Sequence, residues 1–585
     1  MSAGLTVRRP TRGATALRGG RIWRPTPFQV FGFLFWLVMS LAYWRVPLCC
    51  DAGQHAAVVE RLKESLLHPR HPMADLPGAG SPYYSPYAVA EGVFARLTGL
   101  AGWEVLRLAG PLNLVVLLTG IGRLVRALTD RAWAPVLALA AMTLLWGTER
   151  AWWSGYLGLM SMAGNLGYPS TFAIGLTFWA WALTGARARN TGRVRYVGPS
   201  GLPNLAGYAG LGALYGLILL IHPITSVAAV LGAVAFVAGW QRGWSPEVLG
   251  RWALTGAVAL LVAGAWPYFD VFALAGDPSV DAMHRRLYDG LGGHFWLAAL
   301  GLPALWLRAA RTARATPSAT VPGADGVRGG RSRAGDAATG DAGTGRVRAD
   351  QVRAGRLRAG RVRVLAGRVR AWVRDPLVLL FLLDCLVVAH GWASGHYTYG
   401  RIMGLALVPA QFALAVELAA PRPWPGGRRL LGWLAAAGAC VGFLTVQAGA
   451  VVPRSLDPVG FEQPPRWPTY GWAARHIEPG ETVIADGYYA VHSLAGYGAD
   501  LAAPAWPDAS LDERERQRRA ADVRAYLAPD STRARRAAVV RRYHVRWLLL
   551  TRWHRAPEEA VVVAWSRRTG EVLARVGPSG PGTTR

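Results

Sequence analysis

Lysine and cysteine are both scarce in this sequence. Lys63 is the only lysine among 64 basic residues, so arginine carries nearly all of the positive charge. Of the four cysteines in 585 residues, Cys385 and Cys440 lie inside apolar runs and Cys49 and Cys50 are adjacent. A bridge between adjacent cysteines would be strained. These shortages exclude a disulfide-stapled scaffold, and the four cysteines are interpreted as structural.

Apolar and aromatic residues are abundant instead. Hydrophobic residues make up 52% of the chain, mean hydropathy is +0.21, and there are 26 Trp and 19 Tyr. This hydropathy is high for a soluble protein, and so many aromatic rings suit the two interfaces of a membrane. The composition therefore disfavours a soluble enzyme and a disordered chain. The net charge of +29 is interpreted as an arginine-biased composition rather than a nucleic-acid surface.

Eleven apolar runs approach the roughly 17–25 residues that cross a bilayer as a helix. We therefore predict a polytopic α-helical membrane protein with about eleven transmembrane helices. The runs lie near residues 28–46, 105–127, 132–147, 169–185, 205–221, 224–240, 252–272, 293–307, 376–393, 400–418 and 430–452.

Arginine placement predicts the orientation of these spans, because cytoplasmic loops carry an excess of positive residues. The tail 1–27 has six arginines and no acid, so it is expected in the cytoplasm. With alternating spans, nearly every cationic loop then falls on the same side. The protein is expected to be a multi-pass protein of the cell (cytoplasmic) membrane, with a cytoplasmic N-terminus and an extracytoplasmic C-terminal domain.

Three regions surround or interrupt the transmembrane domain, which is predicted to span 28–452. An outer loop, 47–104, should contain amphipathic helices. A cytoplasmic loop, 308–374, mixes Arg with Gly, Ala, Ser and Thr. It is expected to be disordered or to lie on anionic lipid headgroups, with membrane lipids and not nucleic acid as its partner. Region 453–585 alternates helix and strand patterns, which predicts a small extracytoplasmic α/β domain with a binding or scaffolding role.

Asp51 is the most informative residue, because it follows the first span directly. A carboxylate at the outer interface can act as general base for an acceptor hydroxyl while the membrane holds an oily substrate beside it. His55 is four residues further on and shares a helix face with Asp51. A structural alternative stays open: Asp51 suits the N-cap of an amphipathic helix, with Gln54 completing a capping box.

The rest of the outer loop carries aromatic and histidine side chains. Tyr83 and Tyr84 lie in a proline-rich stretch that could pack over a pocket, and tyrosine rings also stack on sugars. The alternative is that they anchor the loop at the membrane interface. His55, His68 and His71 raise the possibility of a metal site, although no spacing demands one.

A second group of polar residues bridges the ninth and tenth spans on the outer side. Arg401, at the mouth of an apolar span, is suited to bind a lipid phosphate through its planar fork of donors, and His396 and Tyr399 precede it. The alternative is an arginine that snorkels to headgroups. Arg285 and Arg286 are secondary candidates of the same kind.

This layout resembles the bacterial GT-C fold glycosyltransferases, such as the mannosyltransferases and aminoarabinose transferases that use polyprenyl-phosphate sugars. The resemblance rests on an acid after the first span, a long outer loop, many spans and a C-terminal outer domain. The domain's similarity rests on Pro479-Gly480-Glu481, Thr482-Val483-Ile484-Ala485-Asp486 and Tyr543-His544-Val545-Arg546-Trp547-Leu548.

The resemblance implies a glycosyltransferase that moves a sugar from a polyprenyl-phosphate donor to an acceptor hydroxyl of a glycan, lipid or protein. Asp51 matches the catalytic acid of the family's first loop, and Arg401 is a match to the residues that bind the carrier phosphate. Many members have paired acids at the first position, whereas Ala52 follows Asp51 here. A second acid would come from elsewhere, with Glu149 as the candidate, and dependence on a divalent metal stays open.

Two other functions stay open on the sequence alone. A transporter or flippase for lipid or polysaccharide would use acids deep in the bilayer, and Asp384 lies near the middle of the ninth span. A non-catalytic scaffold would simply display the outer domain, and Asp51 would then be replaceable without effect.

Overall fold

A computed structural model describes residues 24–76, 81–190, 205–274, 280–315, 374–421, 426–504 and 511–577. The tail 1–27 and the loop 308–374 therefore lie largely outside the described residues. The helices are α1 Pro27–Arg45, α2 Ala52–Glu64, α3 Pro86–Thr98, α4 Gly102–Leu128, α5 Ala134–Leu144, α6 Leu159–Asn165, α7 Pro169–Asn190, α8 Leu205–Ile221, α9 Pro223–Trp240, α10 Pro246–Gly264, α11 Asp281–His284, α12 Leu291–Phe295, α13 Leu302–Ala315, α14 Pro376–Ser394, α15 Met403–Ala406, α16 Val408–Leu418, α17 Gly426–Gly442, α18 Ala448–Val451, α19 Gly471–Ala474, α20 Tyr488–Ser493, α21 Glu513–Leu527 and α22 Arg533–Tyr543.

The polytopic helical fold predicted from the sequence is confirmed, and each of the eleven apolar runs falls on a helix. Within the described residues, seven helices are long and apolar enough to cross a membrane, and an eighth is formed if the pair Asp281–Tyr288 and Leu291–Arg314 is one span bent by 70°. Two shorter apolar helices, α5 and α8, correspond to the third and fifth runs. The count of eleven spans stays a prediction.

Proline marks the start of many helices. Proline lies in the first turn of α1, α3, α5, α7, α9, α10, α14 and α16. Proline is favourable there because its ring presets φ and its missing N–H would have no partner inside the helix. Ser85, Ser245 and Asp375 precede three of these prolines and accept backbone N–H groups as N-caps. Local sequence therefore fixes where these helices begin.

Arginines collect at one end of the helix bundle, which we call the basic end. There, Arg189 donates to the Ala127 carbonyl at 2.7 Å. Arg308 pairs with Asp375 at 2.9 Å, and buried Glu417 pairs with Arg311 and with Arg428, the latter at 3.1 Å. These contacts join the same ends of α4, α7, α13, α14, α16 and α17. The predicted clustering of cationic loops is thus present, while the cellular side on which they lie stays a prediction.

The opposite end of the bundle, which we call the Asp51 end, meets the C-terminal domain. That domain holds a five-stranded mixed sheet in the order β2-β1-β3-β5-β4, with β1 parallel to β2 and β3, and β5 antiparallel to β3 and β4. The predicted α/β character is confirmed; the sequence pattern did not indicate the second and fourth strands. The strands are β1 Thr482–Ala485, β2 Asp500–Leu501, β3 Val545–Leu550, β4 Ala560–Trp565 and β5 Val572–Val576.

Helix α2 joins the bundle to this domain. Arg61 on α2 donates to Asp500 on β2 at 2.6 Å, and both side chains are only 1% exposed. Close packing supports the pair: a Cβ at Gly53 would lie 2.2 Å from the His492 carbonyl oxygen, so a side chain cannot fit there. Burial raises the pKa of Asp500, although Arg61 and Arg70 lower it. Removing both charges from water costs free energy, and the direct contact between Arg61 and Asp500 offsets part of that cost.

We expect Arg61→Met to lower the free energy of unfolding by about 3 kcal/mol, because it leaves the Asp500 carboxylate buried without its closest cation. Combining Arg61→Met with Asp500→Leu should recover most of this loss. Chemical denaturation of the purified protein in detergent micelles measures both effects. Arg546→Met, which removes an exposed arginine on β3, is the matched control and should change stability little. Equal losses in the single and double variants would contradict a coupled pair.

Candidate functional site

The Asp51 carboxylate is not used as a helix cap. Asp51 occupies the N-cap position of α2, yet its side chain makes no capping hydrogen bond, and only its backbone carbonyl accepts from Gln54 and His55. The Gln54 side chain accepts from the Tyr83 hydroxyl at 3.2 Å, so the expected capping box is not formed. The capping alternative was therefore wrong for the side chain. The carboxylate, 22% exposed, faces His55 and the space beyond.

His55 lies beside this carboxylate in an aromatic pocket. Its Nε2 is 3.8 Å from Oδ2 of Asp51, and its side chain is 12% exposed. Tyr83 and Tyr168 meet its ring edge-on, with centroids 5.5 and 5.2 Å away. Burial lowers the pKa of His55 and Arg401 lowers it further, against the opposing effect of Asp51. The imidazole of His55 is therefore neutral at pH 7.

Arg401 brings a half-buried positive charge to the same place. It lies in a 3₁₀ turn, Tyr397–Ile402, at the Asp51 end of the bundle. One Nη atom donates to Ser154, while Nε has no hydrogen-bond partner among the described residues. Its charge interacts electrostatically with Asp51, Tyr83, Tyr156 and Tyr168. The structure therefore places Asp51, His55, Tyr83 and Arg401 in one neighbourhood, while the roles predicted for them stay predictions.

His396 and Tyr399 belong to a neighbouring group. His396 Nδ1 is 3.1 Å from Oδ2 of Asp281, whose other oxygen accepts from the Thr398 hydroxyl at 2.6 Å. The Tyr399 ring is 6.5 Å from that of His396. The bonds from His396 and Thr398 to Asp281 hold the 3₁₀ turn that carries Arg401, and the binding roles expected of His396 and Tyr399 stay predictions.

Two predicted site residues lie elsewhere, and both predictions are corrected. Tyr84 is fully buried among Val58, Leu62 and Ala88, and its hydroxyl donates to the Arg70 carbonyl. It is a packing residue because no part of it reaches the surface. Glu149 is 62% exposed and lies 3.7 Å from His294, away from the contacts of Asp51. The sequence misassigned it because the end of an apolar run does not show where the chain turns next.

The histidine metal site considered from the sequence is not formed. His71 is buried, and its Nδ1 accepts backbone N–H groups from Met73 and Ala74 at 3.2 and 3.1 Å. Across the described ranges, no three His, Cys, Asp or Glu side chains are grouped closely enough to hold a metal ion. His71 is thus a structural acceptor that shapes the outer loop.

Two residues near Asp51 and Arg401, Tyr168 and His284, were not predicted from the sequence. Tyr168, just before Pro169, donates from its hydroxyl to the Cys49 carbonyl at 2.5 Å and so fixes the residue pair that precedes Asp51. His284 is buried, bonds Thr398 at 3.1 Å and interacts electrostatically with Arg401. Its neighbours Arg285 and Arg286, which the sequence favoured, are exposed. The one available signal was position, since Tyr168 directly precedes the run 169–185 and His284 lies in the connection between the runs 252–272 and 293–307.

Comparisons with known proteins give similar structures but no sequence relatives. No family model matches the chain, and no curated protein matches it. Archaeal oligosaccharyltransferase AglB from Archaeoglobus fulgidus, in complex with an inhibitory peptide and a dolichol-phosphate, is 11% identical over 89% of this chain and 69% of its own, with a TM-score of 0.40. ArnT from Cupriavidus metallidurans bound to undecaprenyl phosphate is 15% identical over 95% and 98%, with a TM-score of 0.42.

The apo structure of the same ArnT is 16% identical over 95% of this chain and 99% of its own, with a TM-score of 0.43. These are transferases of the type that the sequence resemblance names. At such identities and TM-scores the similarity assigns no function to this chain, and what these proteins bind is stated of them alone.

The lowered pKa of His55 predicts a pH effect on stability. Between the folded pKa and the unfolded value of about 6.5, the unfolded chain binds more protons, so stability falls as pH drops through 6.5. We expect His55→Gln to lose less stability than the wild type between pH 7.5 and pH 5.5, measured by thermal unfolding in detergent. His68→Gln, which changes an exposed histidine, should keep the wild-type slope. An unchanged slope in His55→Gln would contradict the buried neutral imidazole.

Proposed function

We propose that this protein is a glycosyltransferase that moves a sugar from a polyprenyl-phosphate donor to an acceptor hydroxyl at the outer face of the cytoplasmic membrane. The observation that carries the proposal is that an uncapped Asp51 carboxylate and the Arg401 guanidinium interact electrostatically at one end of the bundle, without direct contact. The acceptor's class, whether glycan, lipid or protein, is left open.

Asp51 is suited to the role of general base. Its carboxylate makes no capping hydrogen bond, is partly exposed, and lies next to the neutral imidazole of His55. A neutral His55 cannot form a full ion pair with it, so the carboxylate remains free to accept a proton. A base within hydrogen-bond reach of an acceptor hydroxyl typically contributes about 10²–10⁴-fold to the rate.

Arg401 is suited to bind the phosphate of the donor. The guanidinium is half-buried, and its Nε is buried without a hydrogen-bond partner among the described residues, so an anion that reached it would add a charge-assisted hydrogen bond. Ser154 and the 3₁₀ turn hold the side chain in place before any substrate arrives. Such preorganised charge stabilises the leaving group as it forms.

The reaction then needs two charges with opposite tasks. Asp51 takes the proton from the acceptor hydroxyl, whose oxygen forms a bond to the anomeric carbon. The bond from that carbon to the phosphate oxygen breaks, and the electron pair leaves with the phosphate beside Arg401. A direct displacement of this kind inverts the anomeric centre. Nucleotide sugars are made in the cytoplasm, so a transferase on the outer face needs a donor carried by a lipid.

Asp384 supports a second candidate, a lipid or polysaccharide transporter. This acid is fully buried within α14, and both of its oxygens have no hydrogen-bond partner in the described part of the chain. An acid inside a membrane span commonly serves an ion or substrate path. Asp384 lies on α14, whereas Asp51 precedes α2. The transporter therefore predicts loss of activity on substitution of Asp384, and the glycosyltransferase predicts it on substitution of Asp51.

Asp51→Asn is expected to lower the turnover number by about 10² or more while leaving the shape of the site intact, because an amide cannot accept the proton. The measurement is release of polyprenyl phosphate by the purified protein from a panel of polyprenyl-phosphate hexoses and pentoses, with membrane extract as acceptor. Glu149→Gln changes an exposed acid away from the site and should keep the wild-type rate.

The outcomes separate the candidate functions. Wild-type transfer by Asp51→Asn would contradict the role of Asp51. Loss of lipid or polysaccharide translocation in Asp384→Asn, with Asp51→Asn unaffected, would favour the transporter. A scaffold predicts that neither substitution changes any activity.

Arg401→Gln is expected to weaken binding of polyprenyl phosphate by about tenfold or more, since a buried phosphate loses a charged donor. Arg401→Lys should recover part of the affinity, because it restores the charge but not the planar fork. Isothermal titration with polyprenyl phosphate in detergent gives the dissociation constants. Arg285→Gln, an exposed arginine nearby, is the matched control, and equal weakening in that variant would indicate a general surface-charge effect.

A further inference from the structure

The two cysteines directly before Asp51 form an unusually close pair. The Sγ atoms of Cys49 and Cys50 are 2.9 Å apart, whereas even carbon atoms pack best at about 3.5–4.0 Å. Cys50 has a φ of 60°, which a non-glycine residue rarely adopts. Both thiols are free, Cys49 being buried and Cys50 half-buried. The backbone thus presents two sulfurs to each other on the outer side of the site.

Neighbouring groups hold this pair in place. The Cys49 carbonyl accepts from the Tyr168 hydroxyl at 2.5 Å and from the Ala52 N–H at 3.0 Å. The Cys50 side chain stays partly accessible to a reagent. The other two cysteines, Cys385 and Cys440, are exposed on the span helices α14 and α17 and have no sulfur neighbour in the described structure.

We propose that Cys49 and Cys50 form a reversible dithiol site that takes disulfide oxidants of the glutathione type and displaces Asp51 when it closes. In the closing reaction both S–H bonds break and one S–S bond forms between the cysteines. The S–S bond of the oxidant breaks and takes up the two electrons and two protons, which gives two glutathione thiols. No other reactant is needed.

The closed pair is under strain and therefore easily reopened. Adjacent Cα atoms are about 3.8 Å apart across a trans peptide, while disulfides usually join Cα atoms about 4.4–6.8 Å apart. Strained disulfides are the readily reduced, regulatory ones. Closure must shift the backbone just before α2, and the shift reaches Asp51 because it is the next residue. A displacement of about 1 Å at a reacting group can cost 10²-fold in rate.

The chemical test uses the full-length protein with Cys385→Ala and Cys440→Ala, so that the pair supplies its only two thiols. The protein is treated with glutathione disulfide or with dithiothreitol, alkylated, and examined by intact mass spectrometry. We expect no alkylated cysteine after the disulfide and two after dithiothreitol. Addition of Cys50→Ser to this background is the matched control and should leave Cys49 with one alkyl group or one glutathione.

Three results would overturn the dithiol site: two alkyl groups after glutathione disulfide, two bound glutathiones without an internal bond, or disulfide-linked dimers on a non-reducing gel. Phenylarsine oxide, which bridges close thiol pairs with loss of one water, provides an independent probe. It should block both alkylations of the reduced pair and fail to protect the single thiol of the Cys50→Ser variant.

The predicted loss of activity on displacement of Asp51 rests on the proposed function. It is measured as donor turnover, separately from the alkylation test of the cysteine pair. We expect donor turnover to fall about tenfold or more on oxidation and to return with dithiothreitol, while the Cys50→Ser variant stays active in both conditions. Equal turnover of the open and closed forms would overturn the displacement of Asp51. If the pair closes but no donor is turned over in either state, the proposed function fails and the dithiol site stands.

Discussion

The buried ion pair between Arg61 and Asp500 joins the helical bundle to the C-terminal domain. Because two charges without water are stable only in contact, α2 can adopt one position against β2. The glycine contact at Gly53 removes the remaining freedom of the helix start. Asp51 is the residue before that start, so its location depends on a contact between α2 and the sheet domain. The C-terminal domain thus helps to position Asp51 through its contacts with α2.

Charge balance explains why the site consists of one acid, one arginine and uncharged rings. Arg401 is half-buried, and the carboxylate of Asp51 compensates its charge at a distance instead of by direct contact; among the described residues the two form no ion pair within 4.0 Å. The rings of Tyr83 and Tyr168 pack against His55 beside the carboxylate, and apolar surroundings of this kind strengthen electrostatic interactions.

Sequence reasoning located the groups whose position follows from the membrane. Asp51 and Arg401 each adjoin the end of an apolar run, and helices that cross a bilayer have their ends at similar levels. The same reasoning failed for Glu149 and Tyr84, because direction around a helix or along a loop depends on packing between distant segments. Tyr168 and His284 could not be chosen from many similar residues at span ends without the tertiary contacts. Strand β4 escaped notice because its apolar face is partly exposed, unlike the buried β3.

The contact between Arg308 and Asp375 joins the two helices that flank the Arg-rich insertion. It is made within the folded bundle, two turns before α13 ends and at the first turn of α14. The two described segments on either side of the insertion are therefore held together, and the entropy of closing a loop between joined segments varies only slowly with its length. Segments between such adjoining ends can be shortened, exchanged or used to carry a fused tag with little demand on the rest of the molecule. The insertion is thus a natural attachment point for engineering that leaves the Asp51 end untouched.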